Sequence, residues 1–110
     1  MSERIVVLST VARAEDAERI GRELVERGLA ACVSVVPGLV SIYKWKGKVE
    51  REDERLLLIK TRRERFVALR EALVALHPYE VPEVLALPIE DGYAPYLAWL
   101  DDHTRPASTE

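Results

Sequence analysis

The sequence predicts an α+β fold, a ferredoxin-like βαββαβ sandwich with an extended central hairpin and a short C-terminal helix. Two observations predict it: strand-like and helix-like patterns alternate in the order β, α, β, β, α, β, α, and Lys46-Gly47 separates two long strand-like segments. The chain has 110 residues, which is the size of one domain. We therefore predict a single domain over residues 1–102 and a flexible tail over residues 103–110.

The first half of the chain begins with a strand and a helix. Residues 4–9 are apolar and rich in β-branched side chains, which is typical of a strand buried on both faces. Glu15 and Asp16 then lie where the dipole of a first helical turn favours acidic groups, and Gly28 is a C-terminal stop signal. The apolar stripe of this helix consists of Ala17, Ile20, Leu24 and Val25.

The central hairpin is predicted over residues 31–45 and 48–61. Pro37-Gly38 interrupts its first strand and predicts a bulge, because proline cannot donate a hydrogen bond to a ladder. Each strand would extend roughly 45 Å, about twice the length of the first and last strands, so the hairpin must overhang. An overhang that exposes apolar side chains and open edges is unfavourable for a monomer. We therefore predict a homo-oligomer.

The second half repeats the strand and helix pattern. Thr61 and Glu64 have the spacing of a capping box, and Pro78 ends the helix that follows. The apolar stripe of this helix consists of Phe66, Leu69, Leu73 and Leu76. Residues 84–89 predict the last strand, and Pro95 suits the first turn of the final helix.

Composition excludes several classes of function. Sixteen basic and nineteen acidic residues give a net charge of −3, so there is no broad positive field for nucleic acid. No stretch approaches the roughly 20 apolar residues of a membrane span, so we expect a soluble, cytoplasmic protein. Cys32 is the only cysteine, which excludes an intramolecular disulfide and a thiolate zinc cluster within one chain.

Residues 77–84, with the sequence HPYEVPEV, are the most informative segment. Two prolines restrict its backbone, so we expect this loop to hold its side chains in fixed positions. It contains an imidazole, a phenol and two carboxylates. These groups could bind a metal ion, line a small-ligand pocket or hold one subunit against another, and the sequence leaves the three alternatives open.

Other polar candidates also have two interpretations. Cys32, at the start of an apolar strand, is either a buried small hydrophobe or a copper-binding thiol. The basic cluster around Lys60 and Arg62 is either a solvated ion-pair network or part of a cleft for an anionic metabolite. No serine or cysteine is visibly placed with a histidine and a carboxylate, so we predict that the protein is not an enzyme.

Several ordered motifs together resemble the CutA family of divalent-cation tolerance proteins. They are the segments at 30–33, 37–38, 41–48, 60–62, 77–83, 87–89 and 96–100, which cover nearly the whole chain. The resemblance implies a cytoplasmic homotrimer held together by its hairpins, an architecture like that of the PII signalling proteins, and a role in tolerance of copper or other divalent metals. Some copper-linked members have a histidine and a cysteine where this chain has Leu76 and Ser9, which weakens the copper inference.

These interpretations define the expected sites. The expected function is that of a noncatalytic homotrimer in divalent metal cation tolerance, with copper or another divalent ion as ligand and no required cofactor, nucleic acid or membrane partner. The alternative is a PII-like signalling or adaptor trimer that binds an anionic metabolite or a protein partner between subunits. The metal candidates are His77 and Cys32. The cleft candidates are Tyr79, Glu80, Glu83, Lys60 and Arg62. The interface candidates are Val40, Ile42, Tyr43, Trp45 and Trp99.

Overall fold

The computed structural model describes residues 3–106 and contains the predicted elements in the predicted order. The strands and helices are β1 (Arg4–Val11), α1 (Ala14–Glu26), β2 (Cys32–Trp45), β3 (Lys48–Arg62), α2 (Phe66–Leu76), β4 (Leu85–Pro88) and α3 (Ala94–Asp102). A single 3₁₀ turn, Arg63–Arg65, precedes α2. The α+β, ferredoxin-like prediction is therefore confirmed.

The four strands form one antiparallel sheet in the order β2-β3-β1-β4. Every second side chain of β1 is buried, and the others are only partly covered. The prediction that this strand is buried on both faces is therefore wrong, because the helices cover one face alone and the alternation of a half-covered strand results. The strand also continues to Val11, two residues beyond its predicted end.

The hydrophobic core lies between that covered face and helices α1 and α2. It includes Leu69 and Leu73 of α2, and Phe66 and Leu76 pack against it, as the predicted stripe requires. The other buried apolar residues of this cluster are Ile5, Val7, Val11, Ala17, Ile20, Leu24, Leu29, Ala30, Leu57 and Ile59. This core fixes the body of the domain, from which the hairpin projects.

The hairpin has the predicted turn and the predicted bulge. Lys46 and Gly47 both have positive φ angles, of 51° and 81°, which match the twist of a tight two-residue hairpin turn. The register between β2 and β3 shifts between Val36 and Leu39, around Pro37-Gly38. β1 pairs with β3 only over residues 55–62, so residues 39–54 form a two-stranded ribbon beyond the body. We call residues 39–54 the arm.

The start of α2 differs from the prediction. The hydroxyl of Thr61 donates a hydrogen bond to the backbone oxygen of Leu29 at 2.6 Å, and no side chain caps α2. The capping box is therefore wrong, because Thr61 is a fully buried strand residue and the 3₁₀ turn separates it from the helix. The end of α2 at Leu76, before Pro78, agrees with the prediction.

The C-terminal elements are short and packed on the body. β4 has four residues, fewer than predicted, and Pro95 lies in the first turn of α3 as expected. Ordered packing continues past residue 102, because Thr104 is fully buried and its hydroxyl donates to the backbone oxygen of Leu100 at 2.9 Å. The rest of the predicted tail, residues 107–110, lies outside the described residues. None of the helices within residues 3–106 is long and apolar enough to cross a membrane.

Candidate functional site

An open groove extends along the arm from its base, beside the loop of residues 77–84. Its volume is about 690 Å³, within the range of small-molecule sites. The walls come from β1, from both strands of the arm and from the loop. The lining residues are Thr10, Ala12, Ser41, Ile42, Tyr43, Trp45, Glu52, Glu54, Tyr79, Glu80, Val81 and Glu83. Four of them are glutamates, three are aromatic, and no lysine or arginine of the described chain lines the groove.

Strand register explains why acids and aromatic rings share one wall. Residues directly opposite each other in an antiparallel pair point to the same face. In the arm, Tyr43 is opposite Glu50, while Ser41 is opposite Glu52 and Leu39 is opposite Glu54. Side chains on one face of a strand repeat every second residue. One face of the arm therefore has a row of glutamates on β3 beside a row that contains Tyr43 on β2.

His77 fastens the loop to β1. Its Nε2 lies 2.9 Å from the backbone oxygen of Thr10, and its Nδ1 accepts a hydrogen bond from the backbone N–H of Tyr79 at 3.1 Å. This pair of partners assigns the proton to Nε2, which donates to Thr10. Both ring nitrogens of this buried side chain are thus in use. This geometry gives His77 a structural role within its own chain, as the anchor of the loop.

Glu54 and Tyr79 form the floor of the groove. The hydroxyl of Tyr79 donates to Oε2 of Glu54 at 2.5 Å. Only 5% of Glu54 is exposed, and Glu54 has no salt bridge to any residue between 3 and 106. Burial, followed by the hydrogen bond to Glu54 and the charges of Glu54 and Glu52, raises the pKa of Tyr79 well above its ordinary value. Tyr79 is therefore a neutral donor at physiological pH.

Tyr43, on the arm, is affected by the same group of glutamates. Burial of its hydroxyl, and then the charges of Glu52, Glu50 and Glu54, raise the pKa of Tyr43. A negative potential disfavours a phenolate. Two tyrosines on different elements thus respond to one group of glutamates, so the groove is a region of negative potential.

The structure separates the five cleft candidates into two groups. Tyr79, Glu80 and Glu83 line the groove. Lys60 instead contacts Ser34 Oγ at 3.3 Å, and Arg62 forms an ion pair with Glu64. Lys60 lies six residues beyond Glu54 on β3, which is about 20 Å at strand rise. The basic pair therefore does not line this groove.

Neither metal candidate belongs to a metal centre within one chain. Cys32 is half-buried, and its Sγ lies 3.8 Å from Lys60 Nζ. Over residues 3–106, no group of three or more His, Cys, Asp or Glu side chains is arranged to hold a metal ion.

The interface candidates are exposed in the isolated chain. Ile42 is 70% exposed, and Val40, Tyr43, Trp45 and Trp99 are also among the exposed apolar or aromatic residues. Trp99 stacks between Tyr96 and His103, with ring centroids 5.6 Å and 4.7 Å apart. Their exposure leaves these side chains available for contacts outside the chain.

Sequence reasoning missed Glu52 and Glu54, which form the acidic wall of the groove. A signal for them was present, because acidic residues at 50, 52 and 54 repeat with the period of a strand. Their placement beside Tyr79 depends on the loop, which lies 25 residues later in the chain than Glu54.

The fold is of the ferredoxin-like class, with a projecting hairpin arm and an open groove beside it. The family model described as "CutA1 divalent ion tolerance protein" matches residues 5–103. The chain therefore belongs to the CutA1 divalent ion tolerance family.

Relatives and solved structures agree with this assignment. The chain is 54% identical over 99 residues to "Divalent-cation tolerance protein CutA" of Thermus thermophilus, covering 90% of this chain and 96% of that protein. A solved structure of the T. thermophilus protein covers 93% of this chain and 99% of that one, with 52% identity and a TM-score of 0.90. The CutA1 structure from Oryza sativa covers 96% and 97%, with 46% identity and a TM-score of 0.92.

Other relatives are longer than this chain. "Protein CutA, chloroplastic" of Arabidopsis thaliana is 48% identical over 92% of this chain, which spans 56% of that protein. The chain thus corresponds to a little over half of this plant relative, and the location in its name belongs to that protein.

Proposed function

We propose that the protein acts in divalent-cation tolerance as a noncatalytic homotrimer in the cytoplasm. The names of the family and of its relatives support the general role. The uncovered arm supports the association of copies, and the number three is what the resemblance to the CutA family implies. A single thiol without a disulfide partner in the chain suits a reducing compartment.

The arm cannot bury its own apolar side chains. A two-stranded ribbon is marginally stable in water unless something packs on it. Here Ile42 and Val49 are both about 70% exposed, and Leu85 and Leu87 of β4 are also exposed. Other copies of the chain that pack on these side chains would bury the apolar surface and also cover the open strand edges.

The mass of the native protein tests the trimer. Light scattering at micromolar concentration is expected to give three times the chain mass of 12.5 kDa. Ile42→Asp should lower this mass, because it places a charge in the proposed contact. Val67→Asp is the matched control, since Val67 is an exposed valine on α2, outside the arm. A monomeric wild type would reject the trimer.

We further propose that divalent ions, copper included, are cargo bound by donors from more than one copy. One chain assembles no group of metal donors in its described part, and His77 uses both nitrogens within the loop. Calorimetric titration of copper(II), copper(I) and zinc should therefore show binding to the wild type that is lost in Ile42→Asp. Equal metal binding by wild type and Ile42→Asp would contradict a site formed by donors from more than one copy. Negligible metal binding in both proteins would reject the metal role.

A PII-like adaptor is the second candidate function. The groove supports it, because its volume suits a small molecule. A thermal-shift screen with metabolites and nucleotides tests this function, since a ligand that binds only the folded protein raises the melting temperature. The four glutamates of the groove argue against the anionic ligand that the basic cluster predicts.

A further inference from the structure

The bulge in β2 lies at the junction of the body and the arm. The last three-stranded row of the sheet contains Thr10 of β1 and Val36 of β2. The first row of the arm pairs Leu39 with Glu54. The register shift lies between these two rows, and Gly38 within it has a φ of 82°. A bulge bends its strand and interrupts the ladder, so the ribbon is able to bend at this junction, which we call the hinge.

The loop of residues 77–84 is hydrogen-bonded on both sides of the hinge. On the body side, Nε2 of His77 donates to the backbone oxygen of Thr10 at 2.9 Å. On the arm side, the hydroxyl of Tyr79 donates to Glu54 at 2.5 Å. The two loop residues are also joined to each other, because the N–H of Tyr79 donates to Nδ1 of His77 at 3.1 Å. A continuous chain of hydrogen bonds therefore runs from the body to the arm through the loop.

Two features make this chain of contacts stiff. Pro78 lies between the two loop residues, and proline fixes the backbone angle φ. His77 is 7% exposed and Glu54 is 5% exposed, so water has little access to their hydrogen bonds. A short, restricted loop with buried contacts at both ends transmits the position of the body to the arm.

On β3 the hinge narrows to a single residue step. Arg55 pairs with Val11 of β1, and its Nη1 donates to the backbone oxygen of Ala12 at 2.5 Å, so Arg55 belongs to the body. Glu54 is the next residue, one position beyond the end of the ladder between β1 and β3. The bond from Tyr79 thus meets β3 at the first residue that is able to leave the sheet.

We infer that the loop of residues 77–84 is a strut across the hinge, which fixes the direction of the arm relative to the body. His77 and Tyr79 are the positioning residues of this strut. Its consequence for association rests on the proposed function, because an arm that already has one direction loses less freedom when other copies pack on it. The strut itself is a property of one chain, and its test is separate from that of the trimer.

Residual dipolar couplings of backbone amides compare the alignment of the arm with that of the body. The background is the full chain with Val40→Lys and Val49→Asp, two exposed arm positions outside the groove. Each new charge lies opposite an existing charge of the other sign, Asp53 and Lys44 respectively, so the ribbon keeps its pairing while apolar contacts between copies are lost. Light scattering selects conditions with the mass of one chain. We expect arm and body to share one alignment.

Variants of the strut should uncouple the arm in this background. Tyr79→Phe removes the bond to Glu54 and should lower the ratio of arm alignment to body alignment by at least about one third, because the ribbon then bends at the bulge. Glu54→Ala should act in the same way. Glu54→Gln should restore the ratio, because its amide oxygen accepts the same hydrogen bond.

Two controls separate the strut from a general loss of stability. Tyr93→Phe removes the hydroxyl of an exposed tyrosine, and Ile59→Val weakens the core of the body. Both should keep the arm aligned with the body. An arm that is already averaged in the background protein, or an unchanged ratio in both Tyr79→Phe and Glu54→Ala, would overturn the inference. An equally large loss in Ile59→Val would overturn it as well.

The native mass measures the consequence for association. In the otherwise wild-type chain, Tyr79→Phe should raise the concentration at which the trimer dissociates at least about threefold, because ordering the arm then costs more. An unchanged dissociation concentration would contradict this consequence. If the wild type is a monomer, the trimer is rejected, and the dipolar couplings still decide whether the loop holds the arm.

Discussion

Strand β3 passes through the body and the arm. These two regions share extended strand geometry but differ in how far their side chains are buried. In the body, Leu57, Ile59 and Thr61 alternate with partly covered residues and are fully buried under the helices. In the arm the same strand has Val49, which is 71% exposed. Extended strand geometry continues along β3, yet burial alternates regularly only over residues 57–62. Burial requires a second layer, which the body supplies from its own helices and the arm lacks.

The two regions also differ in how polar groups are compensated. In the body, the buried hydroxyl of Thr61 bonds to a backbone oxygen within the fold. At the base of the arm, Glu54 is buried beside a groove and forms no salt bridge within residues 3–106. Within residues 3–106 the body satisfies the Thr61 hydroxyl internally but leaves Ser9 Oγ and Arg65 Nε buried without a hydrogen-bond partner, whereas the arm leaves apolar side chains uncovered. The following predictions test this difference.

The largest expected effect is a core truncation in the body. Ile59→Ala should lower the free energy of unfolding by about 2–5 kcal/mol, because it leaves a cavity under α1 and α2. Denaturant unfolding at several protein concentrations measures it. Ile42→Ala in the arm is the comparison, and its cost should grow under conditions where copies associate. An equal loss in the free energy of unfolding for both variants, independent of protein concentration, would contradict the distinction between body and arm.

Removal of the loop anchor should have the next largest effect. His77→Ala deletes two hydrogen bonds to backbone groups and leaves the Thr10 oxygen and the Tyr79 N–H without them. We expect a loss of about 2–3 kcal/mol, since unsatisfied buried groups are costly. The matched control is His103→Ala, because His103 is exposed at the end of α3. Equal midpoints of thermal unfolding for the two variants would contradict the anchor role.

Tyr79→Phe should cost less, about 1–2 kcal/mol at neutral pH, because it removes the hydroxyl that donates to Glu54. The effect depends on pH. The pKa of Tyr79 is raised in the folded protein, mainly by burial and then by Glu54, so the unfolded chain releases this proton first, near pH 10. The contribution of Tyr79 is thus complete below pH 10 and declines as pH rises further.

Unfolding experiments between pH 8 and 11 measure this dependence. The wild type should lose stability above pH 10 more steeply than Tyr79→Phe. Parallel curves for the two proteins would show that the phenol titrates alike in the folded and unfolded states. Tyr93→Phe provides a control on an exposed tyrosine.

The smallest effect concerns an ion pair within the body. Asp101 accepts hydrogen bonds from Arg4 Nε at 3.0 Å and Nη2 at 2.6 Å, which joins α3 to β1. Asp101→Asn should cost about 1 kcal/mol at pH 7, because both side chains are partly exposed. The hydrogen bond to Arg4 lowers the pKa of Asp101 from its ordinary value of 3.8. Its contribution is therefore present above about pH 4 and is lost as pH falls through the folded-state pKa.

Chemical denaturation at pH 7 and at pH 2.5 checks this prediction. The difference between wild type and Asp101→Asn should shrink at the lower pH. Asp102→Asn is the neighbouring control, because its partner Arg105 is well exposed. A constant difference across this range would mean that Asp101 acts through packing and not through its charge.

The sequence by itself determined the local features of this protein. Element order, the Lys46-Gly47 turn, the bulge after Val36 and the helix end before Pro78 all follow from short-range rules of φ angles, period and missing donors. Family membership was also readable from ordered motifs. The capping box failed for a long-range reason, because Leu29 provided a partner for the Thr61 hydroxyl.

Only the tertiary structure decided the groove. It brings Glu54 to Tyr79 across 25 positions and His77 to Thr10 across 67 positions, and it leaves Lys60 and Arg62 outside. These contacts depend on strand register and on the path of a loop around the sheet. A sequence pattern reports which face a residue occupies, but it does not report which distant element arrives at that face.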